Sequence, residues 1–498
     1  MISLITNAES HGEAIAIRQG ETEYTYHQLL RRSAEVAVNL LGSSTDLQET
    51  HVAYLIPGGF DYVTVQWGIW RAGGVTVPLS LSATEPELEY AITDSDVQRV
   101  ITNAEFSAKL APLCQRLGLQ LTVVDEIPEC EFNTLPTISL NRRAMILYTS
   151  GTTNKPKGVV TTHANVQAQI EALVTAWQWQ DSDVIPLFLP LHHIHGIINV
   201  LSCALWSGAT VDTFRHFNAD MILEQVAKNR YSVFMAVPTI YVKLIQLLHC
   251  MPKEQRDGAV QGFSGMRLMV SGSAALPASV HKEWTSLTGQ ALLERYGMTE
   301  IGMALSNPYT GERRPGAVGQ PLPNVIVQLK SESGELIQTD GIAGEIQVQG
   351  PCVFLEYWNK PEATTESFDD GWFRTGDIAV IESGYFRIMG RQSVDIIKSG
   401  GYKLSALEIE SVLLDHEVIQ QCAVVGVADD TWGESVAVAC VLQQDAELDL
   451  EQLKTWCRDC MSPYKIPKQL KIVEQLPRNA MGKIQKPAVT RMFASDES

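Results

Sequence analysis

The stretch Tyr148-Thr-Ser-Gly-Thr-Thr-Asn-Lys-Pro-Lys-Gly158 decides how this chain is read. Small hydroxyl residues crowd around Gly151, so backbone N–H groups and hydroxyls can converge on phosphate oxygens. Lys157 brings a compact cation to the same end. This is not a Walker A loop: Gly151 and Gly158 are seven apart, and no Lys-Ser/Thr pair follows the second. The competing reading is a polar surface loop between two strands. A run of Ser, Thr and Gly closing on Lys-Pro-Lys-Gly is poor filler, and the phosphate reading is preferred.

Outward from that loop, short apolar runs alternate with segments of helical period. Thr25 to Leu41 reads as a helix and His51 to Ile56 as a strand. Pro86 to Ile92 is helical again, followed by strands at Val97 to Thr102 and Leu121 to Val124. The alternation predicts an α/β fold with largely parallel sheets. Glycine and proline become dense between Arg313 and Gly350, where Val325 to Leu329 and Gly344 to Val348 predict a β-rich subdomain. Beyond residue 395 a smaller α/β unit is expected. Its first helix is marked by a capping box, Ser405-x-x-Glu408, and strands follow at Ala423 to Val427 and Val436 to Leu442. A helix near 448–460 and a strand at Leu470 to Val473 complete it. The expected organisation is a large domain over 1–390, a hinge at 391–395 and a small mobile domain over 396–498.

Composition narrows the function. The chain has 498 residues, 45% hydrophobic and 19% charged, enough to bury a sizeable core. Lys plus Arg is 38 against 57 Asp plus Glu, a net charge of −19. That balance argues against a nucleic-acid binder but not against small anions, because a few cations in a cleft dominate the local field. No run of about 18 apolar residues is unbroken; Ile197 to Val211 is interrupted by Asn199, Ser202 and Ser207. Neither a basic signal region nor an Arg-rich leader opens the chain, so no stable membrane insertion and a cytoplasmic location are expected. Nine scattered cysteines fit a reducing compartment. Cys457-x-x-Cys460 lacks a second pair at zinc-ribbon spacing and falls on an amphipathic helix.

With the downstream motifs added, the chain resembles the adenylate-forming superfamily of acyl- and aryl-CoA synthetases, firefly luciferase and peptide-synthetase adenylation domains. Arg295-Tyr-Gly-Met-Thr-Glu300, Thr375-Gly-Asp377, the span Gly390-Arg391 to Gly401, and Pro477-Arg-Asn-Ala-Met-Gly-Lys483 stand in that family's order. Asn154 replaces a usual glycine, and the Arg391–Asp395 spacing is one residue longer than the commonest form. The hinge residue is therefore Ser393, Val394 or Asp395. The resemblance implies ATP, Mg²⁺ and coenzyme A as ligands, and a carboxylic acid joined to CoA through an acyl-adenylate.

It also implies site roles. Thr149, Ser150, Gly151, Thr152, Thr153 and Lys157 would hold phosphates, with Ser273, Tyr296 and Gly297 on the nucleotide. Thr299 would contact the α-phosphate and Glu300 would hold Mg²⁺, a hard cation that takes oxygen ligands. Asp377 would bind the ribose hydroxyls, and Arg391 the ribose or a phosphate. Lys483 would neutralise charge as pyrophosphate leaves, and Gly400 and Gly401 would lie along the pantetheine arm. In His192-His-Ile-His195-Gly196 the residue gating the acid is His193. His192 and His195 fit packed histidines equally well.

The phrases Leu189 to Gly196, Met235 to Tyr241, Met269 to Ala274 and Arg314-Pro-Gly-Ala-Val-Gly319 resemble malonyl-CoA synthetases. Malonate carries a second carboxylate, and burying it unpaired is costly. Lys243 and Arg314 are the expected cations, with Ser271 or Ser273 as neutral donors and Met303 on the substrate side. Lys243 also fits a snorkelling lysine beside Ile240, Leu244 and Leu247, and Arg314 a structural loop arginine. A fatty- or aryl-acid CoA ligase is the alternative; it would need an apolar tunnel and no buried cation. An adenylation module serving a carrier protein is a third reading.

Overall fold

The computed structural model describes residues 2–130, 134–149, 155–399, 402–429, 432–478 and 483–494. Among these, five sheets carry the architecture. The strands His51–Leu55, Val75–Pro78 and Arg99–Thr102 pair in parallel within a seven-stranded sheet. The first two are buried along their whole length. A strand buried on both faces has no polar side to present, which is why these segments read as continuous apolar runs. The expected helix at 25–41 is Tyr26–Leu41, capped by Thr25 and Gln28 in a reciprocal box.

In the same sheet Arg143–Thr149 runs parallel to Val75–Pro78 and returns as Lys157–Thr162, with Thr149 opposite Lys157. The described ends of the phosphate-loop stretch, Thr149 and Lys157, therefore lie side by side on antiparallel strands. Ser150, Gly151, Thr152 and Thr153, like Gly400 and Gly401, lie outside the described residues.

A five-stranded sheet follows: Val233–Ala236, Leu268–Ser271 and Leu293–Met298 in parallel, then Gly302–Ser306 and Gln320–Pro321 antiparallel. Ligands gather at the carboxyl ends of parallel strands, and Ser271 ends one of these. A four-stranded sheet is built from Thr22–Thr25, Ile15–Gln19, Thr210–Thr213 and Val184–Leu187. The apolar run after His195 is a wholly buried π-helix, His195–Ser202, continuing as α-helix to Trp206. A helix apolar all round is one surrounded by protein.

The β-rich subdomain is larger than the glycine-dense stretch suggests. Its six antiparallel strands extend from Ile326 to Arg391, because the long strands Trp372–Glu382 and Tyr385–Arg391 carry little punctuation. One apolar core, with Trp67, Trp70, Trp177 and Trp284 buried, runs beneath the first four sheets. The fifth sheet starts at Ile396 and has apolar clusters of its own on both faces. Half of the expected capping box forms there: Glu408 N–H donates to Ser405 Oγ at 3.0 Å. The other half is lost because the Glu408 carboxylate accepts from Lys465 Nζ at 2.6 Å.

Candidate active site

The strand Leu293–Met298 turns successive side chains to different tasks. Glu294 is buried and accepts the Gly316 N–H at 2.9 Å. Arg295, 4% exposed, faces the Ser271–Ser273 segment, with Nη2 3.4 Å from Ser273 Oγ. Tyr296 donates its hydroxyl to Asp377 Oδ2 at 2.6 Å. Gly297 lies so close to the neighbouring strand that a Cβ would stand 2.1 Å from Gly302 O and 2.6 Å from Met303 Cε. Only glycine fits there. Met303, opposite it in register, is buried.

Asp377 is the centre of a second group of polar side chains, on the side expected to take the nucleotide. Besides Tyr296 it accepts from Arg391 Nε at 3.2 Å, and Arg391 Nη2 donates to Thr375 O at 2.9 Å. Lys483, an exposed residue, lies within electrostatic reach of Asp377, Arg391 and Arg295; desolvation and the two neighbouring guanidiniums lower its pKa against the pull of Asp377. Glu300 is 5% exposed and its Oε1 accepts the Tyr357 hydroxyl at 2.9 Å. Burial raises its pKa, opposed by that hydrogen bond and by Arg391 and Lys157. A carboxylate so placed ionises fully when a dication arrives, which suits the Mg²⁺ role. Lys157 Nζ sits 4.7 Å from the centre of the Tyr357 ring, so the lysine, the ring and Glu300 form one group. Thr299, half-buried, directly precedes Glu300 in the same turn.

On the other side of Arg295 lie the histidines. His195 Nδ1 is 3.1 Å from Ser273 Oγ, and Ser273 is held at φ +69°. Burial lowers the His193 pKa to about 3 and that of His192 to about 4, so both rings are neutral near pH 7. Among the described residues, six buried polar atoms in this region have no hydrogen-bond partner: His193 Nε2, His195 Nε2, Ser271 Oγ, Arg295 Nε and both Nδ2 and Oδ1 of Asn199. Unsatisfied buried groups are rare, and a cluster of them marks a place where a polar ligand completes the bonding.

The two cations expected for a second carboxylate are not in this cluster. Lys243 is exposed on the helix Pro238–Cys250, its ammonium 5.6 Å from the Phe217 ring centre. Arg314 pairs with Glu312 at 3.0 Å and stacks 3.9 Å over Tyr385. Neither has the burial that a carboxylate pocket requires; the snorkelling-lysine and loop-arginine readings fit instead. Arg295 is the buried cation. It stood in the quoted motif, but sequence gave it no task because one-residue alternation along a strand does not say which neighbour faces which ligand. Among the described residues no carboxylate pairs with it, and burial lowers its pKa to about 9.

Residues 4–358 match the AMP-binding enzyme family and residues 408–483 the AMP-binding enzyme C-terminal domain. The chain belongs to the AMP-binding enzyme family and has the adenylate-forming fold. It is 44% identical to the mitochondrial malonate–CoA ligase of Mus musculus, across 97% of this chain and 89% of that one. It overlays on ATP-bound MatB from Rhodopseudomonas palustris with a TM-score of 0.89 at 32% identity, covering 99% of each chain. The apo form of the same enzyme overlays at 0.80. No helix among the described residues is long and apolar enough to cross a membrane.

Proposed function

We propose that this enzyme joins malonate, or its methyl homologue, to coenzyme A at the expense of ATP, through an acyl-adenylate. The observation that carries the reading is Arg295: a guanidinium buried beside Ser271, Ser273 and His195, without a carboxylate among the described residues to neutralise it. A buried charge of this kind is costly unless a ligand pairs with it. The planar fork of arginine matches a carboxylate in two hydrogen bonds. A fatty or aromatic acid has no second carboxylate to offer that cation, so the alternative ligase reading is less well served. The similarity to malonate–CoA ligases points the same way.

Two anions must meet, the attacking carboxylate and the α-phosphate, so positioning and charge neutralisation carry most of the catalysis. Arg295 takes the distal carboxylate and leaves the other free to attack. Thr149, Lys157 and Thr299 hold the phosphates; Asp377, Tyr296 and Arg391 hold the ribose; Lys483 offsets the charge on the leaving pyrophosphate. Glu300 would hold Mg²⁺, which would supply charge neutralisation on the phosphate oxygens. His193, neutral, borders the acid. Thioester formation follows once the small domain turns about residues 391–395 to admit the CoA thiol. All nine cysteines are free, in keeping with a reducing compartment such as the cytoplasm.

Pyrophosphate release measured across malonate, methylmalonate, acetate, octanoate and benzoate, with and without CoA, tests the reading. Preference for malonate or methylmalonate is expected. Preference for octanoate or benzoate replaces it with the general acyl- or aryl-CoA ligase.

A further inference from the structure

The segment 391–395 is gripped from both sides by one carboxylate. Asp395 Oδ2 accepts the backbone N–H of Arg391 at 2.9 Å, and Oδ1 meets Lys486 Nζ at 2.7 Å. Lys486 also meets Glu410 Oε1 at 2.8 Å, and that oxygen accepts the Val424 N–H at 2.7 Å. All three side chains are nearly buried, at 11% exposed for Lys486 and 14% for each acid. Gly390 makes room for the turn: at φ +125°, a Cβ there would stand 2.3 Å from Asp395 Cβ.

The partners of Asp395 lie on different bodies. Arg391 ends the strand Tyr385–Arg391 of the β-rich subdomain, and its side chain bonds Asp377. Lys486 opens the last helix, Lys486–Ala494, packed on the fifth sheet through Val489 and Phe493. Lys483 precedes it by three residues, on a loop closed at its base by Gln485 N–H to Pro477 O at 2.8 Å and by the Arg478–Ile484 bridge. A rigid connection therefore runs from the loop of Lys483 through Lys486 and Asp395 to the backbone of Arg391.

We infer that Lys486, clasped between Asp395 and Glu410, is a positioning residue that holds the pivot in the orientation bringing Lys483 to the nucleotide side. The inference rests on the two-step ligase reading. Turning the small domain about 391–395 moves Lys486 relative to Arg391, so Asp395 cannot keep both contacts. The clasp thus favours the adenylating arrangement and opens for the second step. A ligand or contact shifts a two-state equilibrium only by its difference between the states, and this contact differs.

Rapid-quench kinetics on full-length Lys486→Met and Lys486→Arg, with the acid the wild type activates best, separate adenylate formation from thioester formation. Lys486→Met slows adenylate formation about ten-fold, an ordinary conformational coupling, and leaves the thioester step within about two-fold. Lys486→Arg, which restores a cation between the acids, recovers most of the adenylation rate. Equal slowing of both steps, or full adenylation in Lys486→Met, overturns the inference. Asp395→Asn keeps an acceptor for Arg391 and removes the charge facing Lys486; it gives the same split and serves if Lys486→Met fails to fold. The clasp is also readable without an acid substrate. The distance between spin labels on either side of the pivot, in AMP-bound protein, is narrow in the wild type and broadened in Lys486→Met. An unchanged distribution sinks the clasp, whereas a wild type that activates no acid sinks only the ligase reading.

Discussion

Arg295 Nη2 and Ser273 Oγ stand 3.4 Å apart, and this long contact is all that the described side chains offer a guanidinium with an unpartnered Nε. His195 Nδ1 approaches the same hydroxyl at 3.1 Å, so Ser273 is shared between a cation and a neutral ring. The arrangement suits an anion, as the proposed function requires.

Arg295→Met should therefore select between acids. Removing one partner of a buried charged pair typically costs about 2–5 kcal/mol, or roughly 30-fold and upward at about 1.4 kcal/mol per decade. The specificity constant for malonate falls by that factor, while butyrate, of similar length with one carboxylate, holds or improves. Parallel losses for both acids would assign Arg295 to the fold or to ATP instead.

Lys243→Met and Arg314→Met make the converse case. Both side chains are away from the buried cluster, on phenyl and phenol rings. Surface changes of this kind stay within about 0.5 kcal/mol, so malonate kinetics shift by about two-fold at most. A ten-fold loss in either variant returns that cation to the site.

Lys483→Ala divides the reaction. Its ammonium shares the field of Asp377, Arg391 and Arg295 on the nucleotide side. Adenylate formation is nearly abolished, and thioester formation from supplied adenylate survives largely intact. Equal loss in both half-reactions refutes the division.

Glu294 gives a signature in stability. Burial pushes its carboxyl from 4.5 up to about 8, against the Gly316 N–H hydrogen bond. The folded protein keeps this proton where the unfolded chain has released it. The contribution is fully present below pH 4.5 and is lost as pH rises to about 8. Melting temperature followed from pH 5 to about 9 falls less steeply in Glu294→Gln than in the wild type. Parallel curves would mean that Glu294 does not carry the dependence.

The sequence displayed the proposed nucleotide half of the site more fully than the proposed acid half, for a physical reason. Tyr296, Asp377, Arg391 and Lys483 stand in compact motifs, and the fold brings them within reach of one another. Parallel strands buried on both faces announce themselves as apolar runs, hence the legibility of 51–55 and 99–102. The acid side depends on which way a side chain points across a strand and on what stands opposite. Lys243 has the charge but the wrong face of its helix, whereas Arg295 was hidden inside a nucleotide motif. Lys486 shows the same limit, since its partners are 91 and 76 residues away in sequence.

The two-residue strand Glu356–Tyr357 has a consequence for spacing. It pairs with Val159 and Val160 at the edge of the seven-stranded sheet, while Tyr357 reaches Glu300 beyond the end of a strand in the five-stranded one. Phe354 N–H reaches the Glu300 carbonyl from the same segment, at 2.7 Å. The gap between Lys157 and the Glu300 carboxylate is thereby gauged by a single phenol ring, whatever the two sheets do around it. Substitutions that re-pack the sheets can accumulate without changing that gap, but replacing the ring removes the ruler.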